Sequence, residues 1–222
     1  VMLTRKTPIT VGARVYRRLK QAYPHWGDLL LDRPEHLRGL LQGSGLEEIR
    51  AGDIRAMLDA IVSKFGTASL EPLKQWSDDR CFRLLVGLPG VGAKTARCVM
   101  MYALGRRVFP ADAHCIRVLT RMGVVESGLG HRVAQERLAA AVPAEYAYSL
   151  HVNLVSHGQN VCTPSNPSCS ECGIAKFCSR FRSAAIARAD ESVAHPTVVD
   201  LFCGAGGTSF GLEMAGHRIV GA

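Results

Sequence analysis

Apolar residues recur at helical spacing along most of this chain. Between Asp53 and Phe65, the residues Ile54, Met57, Leu58, Ile61, Val62 and Phe65 fall at i, i+3, i+4, i+7, i+8 and i+11, with Gly66 as a stop signal, and this predicts a core-facing helix. Weaker patterns of the same period run through Val11–Tyr23, His131–Val142 and Ala144–His157. Thr10 is the expected N-cap of the first, and Pro24 and Pro143 punctuate the series. Phe82, Leu85 and Val86 close a further helix that stops at Gly87. No alternating strand pattern occurs before Pro196, so the periodicity predicts an all-α architecture for the bulk of the chain.

One stretch breaks the helical rhythm. From Leu88 to Asp112 the chain reads LPGVGAKTARCVMMYALGRRVFPAD, in which Gly90 and Gly92 flank Val91 and permit close backbone approach to another group. Ala96, Val99, Met100 and Ala103 then resume helical spacing, so a helix begins near Ala93 and turns its unpaired N–H groups and positive dipole end toward the loop. A phosphate suits that position. A nucleotide-binding P-loop requires glycine, lysine and Ser/Thr in direct succession after a strand. Here Ala93 separates Gly92 from Lys94 and a helix precedes the loop, so the reading is helix, hairpin, helix. Taken alone, Lys94 reads as a phosphate contact.

Four cysteines supply a second motif. Cys162, Cys169, Cys172 and Cys178 follow C-x6-C-x2-C-x5-C, and thiols this close in a chain without a secretory signal indicate a metal site more than a disulfide framework. Zinc and an iron–sulfur cluster both take four thiolates, and the spacing alone does not separate them. Cys81, Cys98 and Cys115 stand singly in helical stretches and read as small buried hydrophobes.

Composition narrows the partner. The 222 residues carry 27 Lys+Arg against 19 Asp+Glu, a formal charge of +8, which favours a polyanion such as double-stranded DNA. A 47% hydrophobic content without any apolar run near membrane-spanning length points to a globular chain rather than a membrane protein.

LPGVGAKTA followed by ADAHCIRV resembles the helix-hairpin-helix DNA glycosylases of the endonuclease III superfamily, over about Val1 to Arg182. The resemblance puts Lys94 at the family's nucleophile position and Asp112 at its catalytic aspartate. It assigns the cysteine loop to a 4Fe–4S cluster. It also implies DNA contacts through Leu88, Gly90, Val91, Gly92 and Thr95, with His114 at a pocket position. The implied fold has two lobes, a six-helix barrel over 1–106 and a cluster lobe over 107–182, with the flipped nucleotide held at a cleft between them. Two departures stand out. Val1–Thr7 aligns with the family's glutamine-bearing wedge yet contains no glutamine, so Lys6 or Arg5 fills that role. The family's preceding helix is missing, which implies a shortened N-terminus.

Beyond a linker over 183–195, Val198, Val199, Leu201 and Phe202 form an apolar strand that runs into Gly204, Gly206 and Gly207 and then a helix, a βα nucleotide-binding opening. DLFCGAGGTSFGLEMAG resembles the first motif of the cytosine-C5 DNA methyltransferases. That likeness makes residues 196–222 the start of an S-adenosylmethionine site through Phe202, Gly204, Gly206 and Gly207, functional only in a longer parent protein. Cys203 belongs to this motif and is not the methyltransferase nucleophile.

The combined expectation is a monomeric, cytoplasmic DNA glycosylase/AP lyase of base excision repair, working in a prokaryotic nucleoid on thymine in T·G mismatches or on 5-methylcytosine. Oxidised pyrimidines are the alternative substrate. A DNA-binding module without activity and a DNA-targeting extension of a methyltransferase are the alternative functions.

Overall fold

The computed structural model describes residues 2–4, 7–183, 197–199 and 218–221. Lys6, Arg5, Cys203 and the cofactor-motif residues Phe202, Gly204, Gly206 and Gly207 lie outside the described residues. The chain divides into two compact units, Val1–Val118 with Gly128–Asn160, and Leu119–Ser127 with Val161–Ala222.

The helices are α1 (Ile9–Ala22), α2 (Asp28–Leu31), α3 (Pro34–Leu41), α4 (Glu47–Phe65), α5 (Asp78–Val86), α6 (Ala93–Tyr102), α7 (Ala113–Met122), α8 (His131–Ala141) and α9 (Ala147–Asn160). Strands β1 (Thr197–Val199) and β2 (Arg218–Gly221) pair in parallel. Among the described residues no helix is long and apolar enough to cross a membrane.

The expected helix over Asp53–Phe65 begins earlier, at Glu47. Gly43, Gly45 and Leu46 take positive φ just before it, and the Glu47 carboxylate accepts the Gly43 and Gly45 N–H groups at 3.1 and 2.9 Å, fixing the entry turn. Thr10 is not an N-cap. Pro8 occupies that position with its ring presetting φ at −55°, its carbonyl accepts the Gly12 N–H at 3.0 Å, and Thr10 falls inside the first turn of α1. The segment from Ala144 splits, because Pro143 starts a 3-10 turn over Ala144–Tyr146 before α9 proper.

Helix α4 is the spine of the first unit. Ala51, Ile54 and Leu58 pack with Val15, Leu19, Leu29, Leu37 and Leu41 of α1 to α3, while Ile61 packs with Cys81, Leu85, Leu88, Val91, Ala96 and Met100 around α5 and α6. Each such leucine or isoleucine contributes about 1.5–3 kcal/mol on burial. Arg106 then fixes the exit of α6: its guanidinium donates to the carbonyls of Leu73, Lys74 and Trp76 at 3.2, 2.9 and 2.8 Å and pairs with Asp78 at 3.3 Å.

Candidate functional site

The hairpin between α5 and α6 is built from a turn that its sequence dictates. Pro89 and Gly90 occupy the two central positions, Gly90 at φ +72°, and the Val91 N–H closes the turn on the Leu88 carbonyl at 3.1 Å, the signature of a type II turn. Leu88 and Val91 bury their side chains in the core, so only their backbone groups remain for an external ligand. On the inner side a β-carbon at Gly90 would lie 2.8 Å from the Asp53 carboxyl. Gly92 caps α6 in extended conformation with no side-chain hydrogen bond, leaving the first amides of the helix to an external acceptor.

Lys94 stands half-buried in the first turn of α6, one turn before Cys98, on whose thiol its charge acts. Cys98 is 2% exposed, and its thiol is pushed up by burial, an effect that Lys94 offsets. Asp112 is also half-buried. Its Oδ1 accepts the backbone N–H groups of His114 and Cys115, both at 2.9 Å, which makes it the N-cap of α7. The stretch Phe109–Ala111 that delivers Asp112 is fully buried.

Beneath these two lies a buried floor. Cys115 has no exposed surface, and its thiol is pushed up to about 12, chiefly by burial. Its Sγ lies 3.7 Å from Nδ1 of His151, which is 3% exposed and is held below the ordinary histidine range by burial, against the opposing pull of Asp112 and of a hydrogen bond to the Pro110 carbonyl. Lys94 and Asp112 both act electrostatically on Cys98, Cys115 and His151, so the structure gathers the two sequence-selected residues around one buried cluster.

His114 has a packing role here. Its Nδ1 is 3.0 Å from the Arg117 guanidinium, which can only donate and also bonds the Gly158 carbonyl at 2.7 Å, tying α7 to α9. A β-carbon at Gly158 would meet the His114 side chain at 2.8 Å.

Sequence reasoning missed three residues. His151 carries no pattern beyond its place in an apolar helix. Arg50, 4% exposed, donates to the carbonyls of Met2 and Leu3 at 3.2 and 2.6 Å and to Thr7 Oγ1 at 3.1 Å, so it anchors the segment that aligns with the wedge. Arg121 carries no sequence signal beyond a basic charge at a helix end.

In the second unit, Cys162, Cys169, Cys172 and Cys178 are all half-buried and none forms a disulfide. Short turns over Cys169–Glu171 and Ala175–Phe177 space the last three, with Cys172, Ala175 and Cys178 donating in succession to Cys169, Cys172 and Ala175. Among the described residues no three His, Cys, Asp or Glu stand close enough to hold one metal ion. A multi-iron cluster spaces its ligand sulfurs around a cage, so four thiols on one short loop fit that donor set. Cys81, Cys98 and Cys115 are buried, as expected of structural thiols.

These features define an endonuclease III-like helix-hairpin-helix fold carrying an iron–sulfur binding loop. A family model described as the iron-sulfur binding domain of endonuclease III matches residues 162–178. Endonuclease III of Thermotoga maritima is 26% identical over 181 residues, covering 82% of this chain and 80% of its own length. Thymine/uracil-DNA glycosylase of Methanothermobacter thermautotrophicus is 24% identical over 183 residues, covering 81% and 79%. DNA glycosylase/AP lyase ROS1 of Arabidopsis thaliana is 24% identical over a 199-residue alignment that covers 82% of this chain but 14% of ROS1. A non-covalent endonuclease III–DNA complex superposes at a TM-score of 0.72, with 23% identity over 83% of this chain and 82% of the other. A thermostable thymine-DNA glycosylase superposes at 0.71, with 23% identity over 82% and 81%.

Proposed function

We propose that the chain is a DNA glycosylase with AP lyase activity that removes thymine opposite guanine, or 5-methylcytosine, from duplex DNA. The observation that carries this reading is the convergence of Lys94 and Asp112 on one buried cluster at the open amide end of α6. The relatives' names, thymine/uracil-DNA glycosylase and DNA glycosylase/AP lyase, support the reaction class. The resemblance of Asp200–Gly216 to a cytosine-C5 methyltransferase motif supports a substrate derived from methylated cytosine.

In this mechanism the hairpin amides take a backbone phosphate, and the target nucleotide is turned out of the stack. The neutral Lys94 amine donates its pair to C1′ of the sugar, the bond from C1′ to the base breaks, and the base leaves with the bonding electrons and a proton. Asp112 stabilises the positive charge that develops on the sugar, held in place by the amides of His114 and Cys115. The nitrogen lone pair then breaks the bond from C1′ to the ring oxygen O4′, which takes a proton from water, and the protonated Schiff base so formed acidifies the 2′ carbon, whose loss of a proton expels the 3′ phosphate.

Cys162, Cys169, Cys172 and Cys178 would hold the cluster, which when bound cross-links the loop. Lys176, Arg180 and Arg182 lie exposed within and just after this loop, where they add phosphate-binding charge.

The reading is tested with duplexes that differ at one base pair: T·G, 5-methylcytosine·G, thymine glycol·A and an abasic site. Base release from either of the first two supports it. Release confined to thymine glycol moves the substrate to oxidised pyrimidines, and inertness toward all four leaves a DNA-binding module.

A further inference from the structure

We infer that Arg121 is the positioning residue of the iron–sulfur loop and raises the reduction potential of the cluster held there. This rests on the reading that the four cysteines bind a cluster. Arg121 lies in the last turn of α7, and its guanidinium donates to Cys162 Sγ at 3.2 Å, to the Cys162 carbonyl at 3.4 Å, and to the Thr163 and Pro164 carbonyls at 2.7 Å each. Its own carbonyl lies 3.2 Å from Cys178 Sγ, a bond that only the unligated thiol can donate. One residue thus stands beside both the first and the last ligand of the set, at the two ends of the cysteine loop. The neighbouring Met122 carbonyl accepts from Ser179 Oγ at 2.8 Å, so the loop's end is seated on the unpaired carbonyls of the α7 C-terminus.

The charge and the bond to sulfur have a definite electronic sign. A guanidinium is charged at all working pH values and offers several N–H donors in a fixed fork. A thiolate ligand gains more from such a donor than a thiol does, and an added electron increases the negative charge on the ligand sulfurs. The reduced cluster is therefore stabilised more than the oxidised one, and hydrogen bonds to sulfur are among the determinants of cluster potential. The three carbonyl contacts hold the Cys162–Pro164 backbone where its thiolate can ligate, which opposes loss of iron.

The test compares wild type with Arg121→Gln and Arg121→Lys, purified anaerobically and reconstituted where needed. Iron and sulfide are counted, the potential is measured, and iron loss to a chelator is timed. Arg121→Gln is expected to move the potential to a more negative value and to release iron about tenfold faster or more. Arg121→Lys keeps a charge but loses the fork, and should fall between. Full clusters in Arg121→Gln with wild-type potential and release rate overturn this inference alone. A wild type that holds no iron and sulfide overturns the cluster reading together with it.

Discussion

The Asp112 carboxylate accepts the backbone N–H of Cys115 at 2.9 Å. The residue proposed to stabilise the transition state is therefore also the N-cap that starts α7, and the two roles respond differently to substitution. Asp112→Asn keeps a cap of similar strength, whereas Asp112→Ala loses it at about 1 kcal/mol. Base release should fall about 100-fold or more in both, while denaturant midpoints should separate them. Activity retained in Asp112→Asn would assign the residue to structure alone.

The two hairpin glycines are not equivalent. Alanine at Gly90 must adopt φ +72° and place its β-carbon 2.8 Å from Asp53, and the left-handed backbone alone costs about 1–2 kcal/mol. Gly92 has φ −89° and open space around a β-carbon. Gly90→Ala should lower both thermal stability and affinity for an undamaged duplex. Gly92→Ala should lower stability by about 0.5–1 kcal/mol, the difference between glycine and alanine at an N-cap. Equal losses of stability would refute the turn geometry.

His151 ties stability to pH. Its folded pKa is depressed by burial, so its contribution is fully present above the unfolded value near 6.5 and is lost as pH falls below it, because the unfolded chain binds the proton first. Lys94, Asp112, Cys115, Tyr102 and Phe109 surround it. Comparing urea midpoints at several pH values between neutral and mildly acidic conditions isolates this residue from the other histidines. Wild type should lose more stability on acidification than His151→Gln, and parallel curves would contradict the assignment.

Cluster removal should act locally. The first unit has its own apolar cores around α4, so chelation should abolish the visible charge-transfer absorbance while leaving most helical circular dichroism. A collapse of the helical signal together with the iron would contradict that independence. Protein that instead carries stoichiometric zinc without sulfide would replace the cluster altogether.

The sequence made some elements easier to read than others. Ile54, Leu58 and Ile61 repeat on one face of α4, and their burial follows from that period. The start of α4 was hidden because Glu47–Gly52 holds Ile49 as its one large apolar residue and its entry turn depends on backbone conformations at Gly43, Gly45 and Leu46. α2 and α3 are short, and the apolar run Leu29–Leu31 shows no helical period. At the site, the residue types and spacing of Lys94 and Asp112 were visible. The floor of Cys98, Cys115 and His151 was not, since it forms only when α6, α7 and α9 meet. Arg121 was equally hidden, because its partners on the cysteine loop lie more than forty residues away.

Lys94 is the proposed nucleophile, and the chemistry leaves a trace that can be trapped. Borohydride added during reaction with a T·G duplex, and separately with an abasic duplex, should reduce the Schiff base to a stable protein–DNA adduct whose peptide maps to Lys94. The adduct should vanish in Lys94→Ala. An adduct that persists in Lys94→Ala, or a wild type that forms none even on the abasic duplex, would show that Lys94 is not the nucleophile.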